Sequence, residues 1–180
     1  MRLVDPSIGY MDSFIEAMAE YQREGRYSEY VLEGLRRDFP SFIAALEAES
    51  RGEGLPDGYV PQTTYWLVDG GTFIGRVSIR RRLTESLLRE GGHIGYDIRP
   101  SRRRQGYGTR ILALALPRAG RLGIPRALVT CDDDNIGSAK IIESNGGVLE
   151  NVVTTDPDRP PKRRYWIDVP PSDPSTAWPR

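Results

Sequence analysis

Apolar residues at helical spacing mark the N-terminal part of the chain. From Ser7 they recur at steps of three and four positions, which predicts an amphipathic helix (Ile8, Met11, Phe14, Ile15, Met18). Two further helical stretches follow, one before Pro40 (Val31, Leu32, Leu35) and one after it (Phe42, Ile43, Leu46). Pro40 suits the first turn of the last helix, since its missing N–H would have no partner there. A short first strand is predicted at Arg2-Leu3-Val4.

The hydrophobic period changes from 3.6 to 2 after residues 51–62, a Gly- and Pro-rich segment that is predicted to be an ordered surface loop. An apolar run, Tyr65-Trp66-Leu67-Val68, precedes the turn signal Asp69-Gly70-Gly71. Apolar residues alternate with their neighbours after it, so residues 63–80 predict a β-hairpin. After a short helical piece at 85–89, strands and helices are predicted to alternate before two closing strands (strand 93–99, helix 106–122, strand 127–131, helix 136–144, strands 148–153 and 165–169).

This order of elements predicts a mixed sheet and therefore an α/β or α+β fold. The strand-helix-strand unit at 93–131 requires a right-handed parallel crossover, whereas the hairpin is antiparallel. We expect one domain over residues 1–169 and a loose tail at 170–180, which is rich in Pro and Ser. Pro117 predicts a kink or a split of its helix near Leu116, because an interior proline costs about 3 kcal/mol.

Composition narrows the classes of function. The chain has 180 residues with one Cys and one His, which excludes an internal disulfide and argues against a His/Cys zinc site. Its 25 basic and 25 acidic residues balance, so binding of nucleic acid through bulk charge is not expected. The sequence shows neither a transmembrane run nor a signal peptide, and we expect no membrane partner and a cytoplasmic location.

The most informative segment is HIGYDIRPSRRRQGYGTR at 93–110. A predicted strand ends at Ile98-Arg99, and an arginine-rich turn leads into Gly106-Tyr107-Gly108, where a helix is predicted to begin. The first N–H groups of a helix lack internal acceptors and lie at the positive end of its dipole. Together with glycines that let a ligand approach and arginines that add charge, these groups predict a phosphate or pyrophosphate site.

Three anion-binding patterns compete for this turn. A Walker A loop is absent, and a dinucleotide fingerprint fails because Ile111 stands where its third glycine should be. The third pattern, Arg/Gln-x-x-Gly-x-Gly/Ala after a strand that ends in Pro, is matched by Arg103, Gly106 and Gly108. This motif alone does not exclude the alternative that the segment is an ordinary strand-to-helix turn with solvated arginines.

A second block of residues follows downstream. After the predicted strand at 127–131 come Asn135, then Ser138 three positions later, and Gly146 eleven positions after the asparagine. Together with the glycine turn, this block resembles the GCN5-related N-acetyltransferase (GNAT) superfamily over about residues 63–169. The resemblance implies a mixed, mostly antiparallel sheet of about seven strands, flanked by helices, in which a central parallel pair splays apart.

The resemblance also implies that the protein binds acetyl-CoA. The diphosphate would lie on the N–H groups of the turn and of the helix start (Arg103, Arg104, Gln105, Gly106, Tyr107, Gly108, Thr109). The pantetheine arm would pair with the backbone of Ile98 and Arg99 like an added strand. Asn135 would touch this arm or the substrate, and Ser138 would cap the helix or lie near the same arm. The implied reaction is acetyl transfer to a primary amine of a small molecule or peptide, by direct attack through a tetrahedral intermediate.

That chemistry needs an oxyanion donor and a general base. The donor is expected to be the backbone N–H of Ile98, and losing such a donor typically costs about 2.7–4 kcal/mol of barrier. For the base, His93 is the one histidine, and an unperturbed pKa of about 6.5 suits the task. A relay through water or another side chain is the alternative for the base (Tyr96, Asp97, Glu85).

A general acid for the departing sulfur is not evident, because Ile142 stands where many members of the superfamily carry Tyr. A thiol with a pKa of about 8.5 is already a tolerable leaving group as thiolate. The alternative to an enzyme is a non-catalytic acyl-CoA-binding or regulatory module. A third possibility is a protein that binds the phosphates of another nucleotide and has only the glycine turn in common with the superfamily. The sequence does not identify the acceptor amine, and it does not decide whether the protein forms a homodimer. It gives no reason to expect a metal.

Overall fold

The computed structural model describes residues 1–170, with seven strands and five α-helices in this range. Their order is β1 (Arg2–Val4), α1 (Met11–Arg23), α2 (Leu32–Arg37), α3 (Phe39–Arg51), β2 (Gln62–Asp69), β3 (Thr72–Arg80), β4 (Ile94–Ile98), α4 (Tyr107–Arg121), β5 (Arg126–Asp132), α5 (Ile136–Ser144), β6 (Val148–Val153) and β7 (Lys162–Asp168). Short helical turns lie at Ile8–Tyr10, Leu87–Gly91 and Pro100–Arg102. The tail predicted at 170–180 lies, except for Pro170, outside the described residues.

The strands form two antiparallel sheets flanked by helices, so the predicted mixed α/β class is confirmed. One sheet has the order β1-β2-β3-β4 and the other β5-β7-β6. The predicted hairpin pairs β2 with β3 from Gln62 opposite Arg80 to Asp69 opposite Thr72. No helix of the described range is both long enough and apolar enough to cross a lipid bilayer.

The two sheets touch where β4 and β5 begin. The His93 N–H donates to the Leu128 carbonyl at 2.7 Å, and the Leu128 N–H donates to His93 Nδ1 at 2.9 Å. Gly92, with a φ of 66°, allows this approach, since a Cβ there would lie 2.6 Å from the Leu128 oxygen. Within residues 1–170 no ladder joins β4 to β5 beyond this link, so a gap opens along the rest of β4.

Each face of the first sheet packs against its own helices. Alternate residues such as Tyr65 and Leu67 face α4 and α5 and join a core that continues into the second sheet. Their neighbours Trp66 and Val68 face α1 and α3, where they meet a cluster rich in aromatic rings. The Phe14 ring stacks on Trp66 with ring centroids 4.7 Å apart. This division leaves β4 between two packed layers, with its outer edge at the gap.

Helix α4 runs through Pro117 and ends four residues later at Arg121, so the split near Leu116 that the sequence predicts is wrong. The proline and Ala113, whose carbonyl loses its N–H partner, are both exposed. Water can therefore solvate the freed carbonyl, while the apolar stripe on the other side of α4 stays in the core. The last strand also starts earlier than predicted, because pairing extends to Lys162 opposite Asp132.

Candidate active site

The turn between β4 and α4 has an unusual backbone conformation. Arg104 has a φ of 61° and Gly106 a φ of 80°, and α4 begins directly afterwards at Tyr107. A glycine adopts this left-handed conformation without strain, whereas a residue with a Cβ pays about 1–2 kcal/mol. A non-glycine residue in this conformation is uncommon, and such residues cluster at functional sites.

The amides that follow this turn have no acceptor of their own. The first helical bond of α4 runs from the Arg110 N–H to the Gly106 carbonyl at 3.1 Å. Within the described range, none of the N–H groups of residues 104–109 donates to another protein group. Residues 103–106 are exposed, and no carboxylate of residues 1–170 pairs with Arg104 or Arg110. Free amides, a helix N-terminus and unpaired cations together make a site for an anion.

Three of the residues predicted to bind phosphate make other contacts, but among them only Arg103 has a backbone N–H that is occupied within residues 1–170. The Arg103 N–H donates to the Pro100 carbonyl at 3.2 Å, and its guanidinium grips both Glu24 oxygens at 2.9 and 2.8 Å. The Gln105 side chain donates to the Ser101 carbonyl at 3.3 Å. Gly108 faces α5, where an added Cβ would lie 2.4 Å from Ile141 Cδ1. The small size of Gly108 thus serves the packing of two helices.

The backbone of Ile98 faces the gap. The Arg99 N–H donates to the Ile74 carbonyl at 2.8 Å, which makes Ile98 the neighbouring position whose own N–H and C=O point away from β3. By the same alternation, the backbone of Tyr96 also faces the gap. Arg103 Nε donates to the Ile98 carbonyl at 3.1 Å, whereas the Ile98 N–H has no acceptor within the described residues. The free strand edge therefore consists of Tyr96 and the Ile98 N–H.

Arg99 cannot pair with a ligand through its backbone, contrary to the sequence-based expectation. Its N–H belongs to the β3 ladder, and its carbonyl accepts from the Arg102 N–H at 2.8 Å. Its buried guanidinium binds Glu20 at 2.7 Å and Glu16 at 3.3 Å. Burial alone would raise the pKa of Glu20, but hydrogen bonds from Ser101 and Arg99 outweigh it and lower that pKa. The Arg99 side chain thus links β4 to α1 through ion pairs with Glu16 and Glu20.

The start of α5 approaches the gap from the second sheet. Asn135 caps the helix, since its side-chain oxygen accepts from the Ser138 N–H at 3.0 Å. The Ser138 hydroxyl lies 2.9 Å from the Tyr96 hydroxyl, and this hydrogen bond connects β4 to α5. Burial raises the pKa of Tyr96 to about 12 and that of Cys131, on β5, to about 11. Ile142, at the position expected for a tyrosine, is fully buried in the core.

His93 closes the gap at its narrow end. Its Nδ1 accepts the Leu128 N–H, so in the neutral ring the proton must be on Nε2 and no lone pair is left for a substrate. Burial also lowers the pKa of His93, which keeps the ring neutral. The assignment of His93 as general base finds no support in this geometry.

A charged cluster on the opposite face of β4 was not singled out from the sequence. Asp97 accepts a short hydrogen bond from the Tyr27 hydroxyl and pairs with Arg26 at 2.6 Å. Tyr27 has a φ of 55°, a second strained non-glycine residue. Burial and the Asp97 charge raise the pKa of Tyr27. The fully buried Tyr21 hydroxyl beside this cluster has no hydrogen-bond partner. The cluster is visible only in the folded structure, because Tyr27 lies in a loop that carries no recognisable motif and is distant in sequence from Asp97.

Free amides at a helix start, next to a free strand edge in an open gap, suit a diphosphate that carries an extended arm. Residues 11–148 match the family model "Acetyltransferase (GNAT) domain", and the chain belongs to this family. The protein is therefore an acetyl-CoA-dependent N-acetyltransferase.

Solved structures with the same fold include three acetyltransferases. Microcin C7 self-immunity acetyltransferase MccE, in complex with acetyl-CoA and AMP, is 16% identical with a TM-score of 0.65, covering 93% of this chain and 91% of that one. The ribosomal L7/L12 α-N-protein acetyltransferase RimL, with coenzyme A, is 18% identical with a TM-score of 0.66, covering 95% and 94%. Mycobacterium smegmatis RimJ, with CoA-disulfide, is 18% identical with a TM-score of 0.67, covering 92% and 80%. No curated protein sequence matches this chain.

Proposed function

We propose that the protein transfers the acetyl group of acetyl-CoA directly to a primary amine, on a small molecule or a peptide, through a tetrahedral intermediate. One observation carries this proposal: the Ile98 N–H, at the end of β4, and the amides of 104–109, which follow it at the start of α4, have no acceptor within the described residues. RimL is a protein α-N-acetyltransferase and SpeG from Vibrio cholerae is a spermidine N-acetyltransferase, so related folds serve both protein and small-molecule amines.

The amides of 104–109 are proposed to hold the diphosphate, with Arg104 adding charge from its exposed position. The pantetheine arm would pair with the edge of Tyr96 and Ile98, and not with Arg99, whose backbone groups are occupied. Asn135 would act through its cap on α5 by holding Ser138 in place. These roles follow from which polar groups lack a partner within the protein.

The Ile98 N–H is proposed to stabilise the oxyanion. The Arg99 N–H donates to the Ile74 carbonyl on β3, and Arg103 Nε donates to the Ile98 carbonyl. These two bonds fix both polar groups of the peptide unit that directly follows the Ile98 N–H. A donor that is fixed before the reaction stabilises developing charge without reorganising, and one such donor contributes about 2.7–4 kcal/mol.

Asp97 is proposed to bind the acceptor ammonium and to take its proton. Its carboxylate is next to Ile98 in the chain, and its oxygens keep lone pairs besides those used by Tyr27 and Arg26. Positioned proton transfer contributes about 10²–10⁴-fold, so Asp97→Asn should lower kcat by a factor in that range. Glu85, an alternative base in the sequence-based prediction, is exposed and makes no contact with Asp97 or Ile98.

The test measures both binding and turnover. Isothermal titration should detect acetyl-CoA and CoA, and a thiol-release assay across amines and N-terminal peptides should find at least one acceptor. Absence of CoA binding at high micromolar ligand would refute the proposal. CoA binding without thiol release on any acceptor would instead support the non-catalytic acyl-CoA-binding module, which the buried Ile142 in place of a tyrosine favours.

A further inference from the structure

A pair of hydroxyl groups bridges the two halves of the molecule at the gap. Tyr96 extends from β4 and Ser138 from the first turn of α5, and their oxygens lie 2.9 Å apart. Cys131 on β5 contributes to the raised pKa of Tyr96, and Ser138 in turn acts on the pKa of the Cys131 thiol. Three polar groups from three elements thus meet beside the free edge of Tyr96 and Ile98.

The two hydroxyl groups carry two protons, and the hydrogen bond between them uses only one. Each hydroxyl can donate once, and either atom can be the donor in the bond between them. One O–H therefore remains to donate to a third group. Asn135 holds the Ser138 backbone at 3.0 Å, which fixes the start of α5 and with it the Ser138 hydroxyl.

The phenol is the better donor of the two toward an anion, because it is far more acidic than an aliphatic alcohol. It also keeps its proton at neutral pH, since burial raises the pKa of Tyr96 to about 12. Cys131 is a poor candidate for the third group, because its buried thiol carries no charge below a pKa of about 11.

We propose that the Tyr96 hydroxyl, positioned by Ser138, donates a hydrogen bond to the sulfur that leaves when acetyl-CoA reacts. This inference rests on the proposed function, which places the thioester in the gap against the Ile98 N–H. In the step, the N–C bond forms and the C–S bond breaks, with its electron pair moving to sulfur. The ammonium gives one proton to Asp97 before the attack, and the second proton of the attacking nitrogen passes to water as the amide forms. The thiolate is held by Tyr96 until a proton arrives from water.

The test compares Tyr96→Phe with Tyr65→Phe as a matched control. Tyr65 is equally a buried phenol on the α4 side of the same sheet, but on β2, away from the gap. Because a hydrogen bond to a charged group contributes about 1.5–3 kcal/mol, Tyr96→Phe should lower kcat roughly 10- to 100-fold. The Kd for acetyl-CoA should change by no more than about threefold, since the thioester sulfur carries no charge, and Tyr65→Phe should leave kcat unchanged.

A second readout does not depend on turnover. The pKa of the CoA thiol bound to each variant is followed by the ultraviolet absorbance of its thiolate, with the protein alone as blank. Tyr96 should lower this pKa in the wild type, and Tyr96→Phe should raise it by about 1–2 units. Ser138→Ala should raise it less, because it removes only the positioning group, and Ser138→Thr should restore it.

The outcomes separate this inference from the proposed function. If the wild type binds CoA and releases thiol, but Tyr96→Phe leaves both kcat and the pKa of the bound thiol unchanged, Tyr96 is not the donor. If a thermal melt shows that Tyr96→Phe does not fold, the Ser138→Ala variant decides instead. The inference is then overturned if Ser138→Ala leaves the pKa of the bound CoA thiol unchanged. A wild type that neither binds CoA nor releases thiol refutes the proposed function and this inference with it.

Discussion

At the scale of single residues, His93 shows how one ring can hold two sheets together. Its Nδ1 takes the Leu128 N–H, which would otherwise be a buried donor without a partner. An unsatisfied buried donor costs about 1–3 kcal/mol, so His93→Ala should lower the free energy of unfolding by about that amount. His93→Asn, whose Oδ1 can stand in for Nδ1, should retain most of it. Urea unfolding of the three proteins at pH 7.5 measures the difference.

The same ring makes stability depend on pH. Burial lowers the pKa of His93 in the folded protein, so below about pH 6.5 the unfolded chain binds a proton that the folded ring does not. The stability that the neutral His93 ring contributes is present in full above the pKa of His93 in the unfolded chain. It is lost as the pH falls through the pKa of His93 in the folded protein. Urea midpoints from pH 7.5 to 5 should decline more steeply for the wild type than for His93→Asn. Parallel declines in the two proteins would show that His93 does not titrate in this way.

Cys131 offers a second test at this scale. Its thiol is buried, and burial raises its pKa to about 11, so the reactive thiolate is scarce at neutral pH. Alkylation by iodoacetamide at pH 7.5 should therefore be at least tenfold slower than in the urea-unfolded chain, and the rate should rise steadily toward pH 10. A fast, pH-independent reaction in the folded protein would contradict this assignment.

At the scale of elements, the packing of α4 against α5 depends on Gly108. An added Cβ would lie 2.4 Å from Ile141 Cδ1, so Gly108→Ala should destabilise the protein by about 1–3 kcal/mol through overpacking. Ile141→Val removes that methyl group, so the double variant should recover part of the loss. A double-mutant cycle by chemical denaturation gives the coupling, and additive effects would exclude the steric explanation.

Elements and their order follow from the sequence, because they depend on local periodicity and turn residues. The helix at Ile136–Ser144 and the strand at Val148–Val153 lie where the pattern predicts them. Local rules wrongly predicted a split of α4 near Pro117, where solvent exposure lets the helix continue, and they missed Lys162, where a partner strand extends β7. The free amides of the turn were predictable, since any helix start has them. The cluster of Asp97, Tyr27 and Arg26 was not, because tertiary packing alone brings those segments together.

At the scale of the whole molecule, the candidate site lies where the two sheets separate, next to a core that both sheets share. One sheet supplies the Ile98 edge, while α4 and α5 supply the amides and Ser138. Between the sheets, β4 and β5 are bonded to each other only around His93 and Leu128 within residues 1–170. A ligand that fills the gap therefore takes the place of missing strand-to-strand contacts and should stabilise the fold as one unit.

The size of this stabilisation follows from the ligand concentration relative to its Kd. A ligand at 100 times its Kd stabilises the folded state by about 2.7 kcal/mol, and 1 kcal/mol raises Tm by about 2–4 °C in a protein of this size. Acetyl-CoA at that concentration should therefore raise Tm by about 5–10 °C. Pantetheine, which has the arm without the diphosphate, should give a much smaller shift at equal concentration. Equal shifts would remove the amides of 104–109 from the site, and a larger shift with ATP or NAD would assign them to another nucleotide.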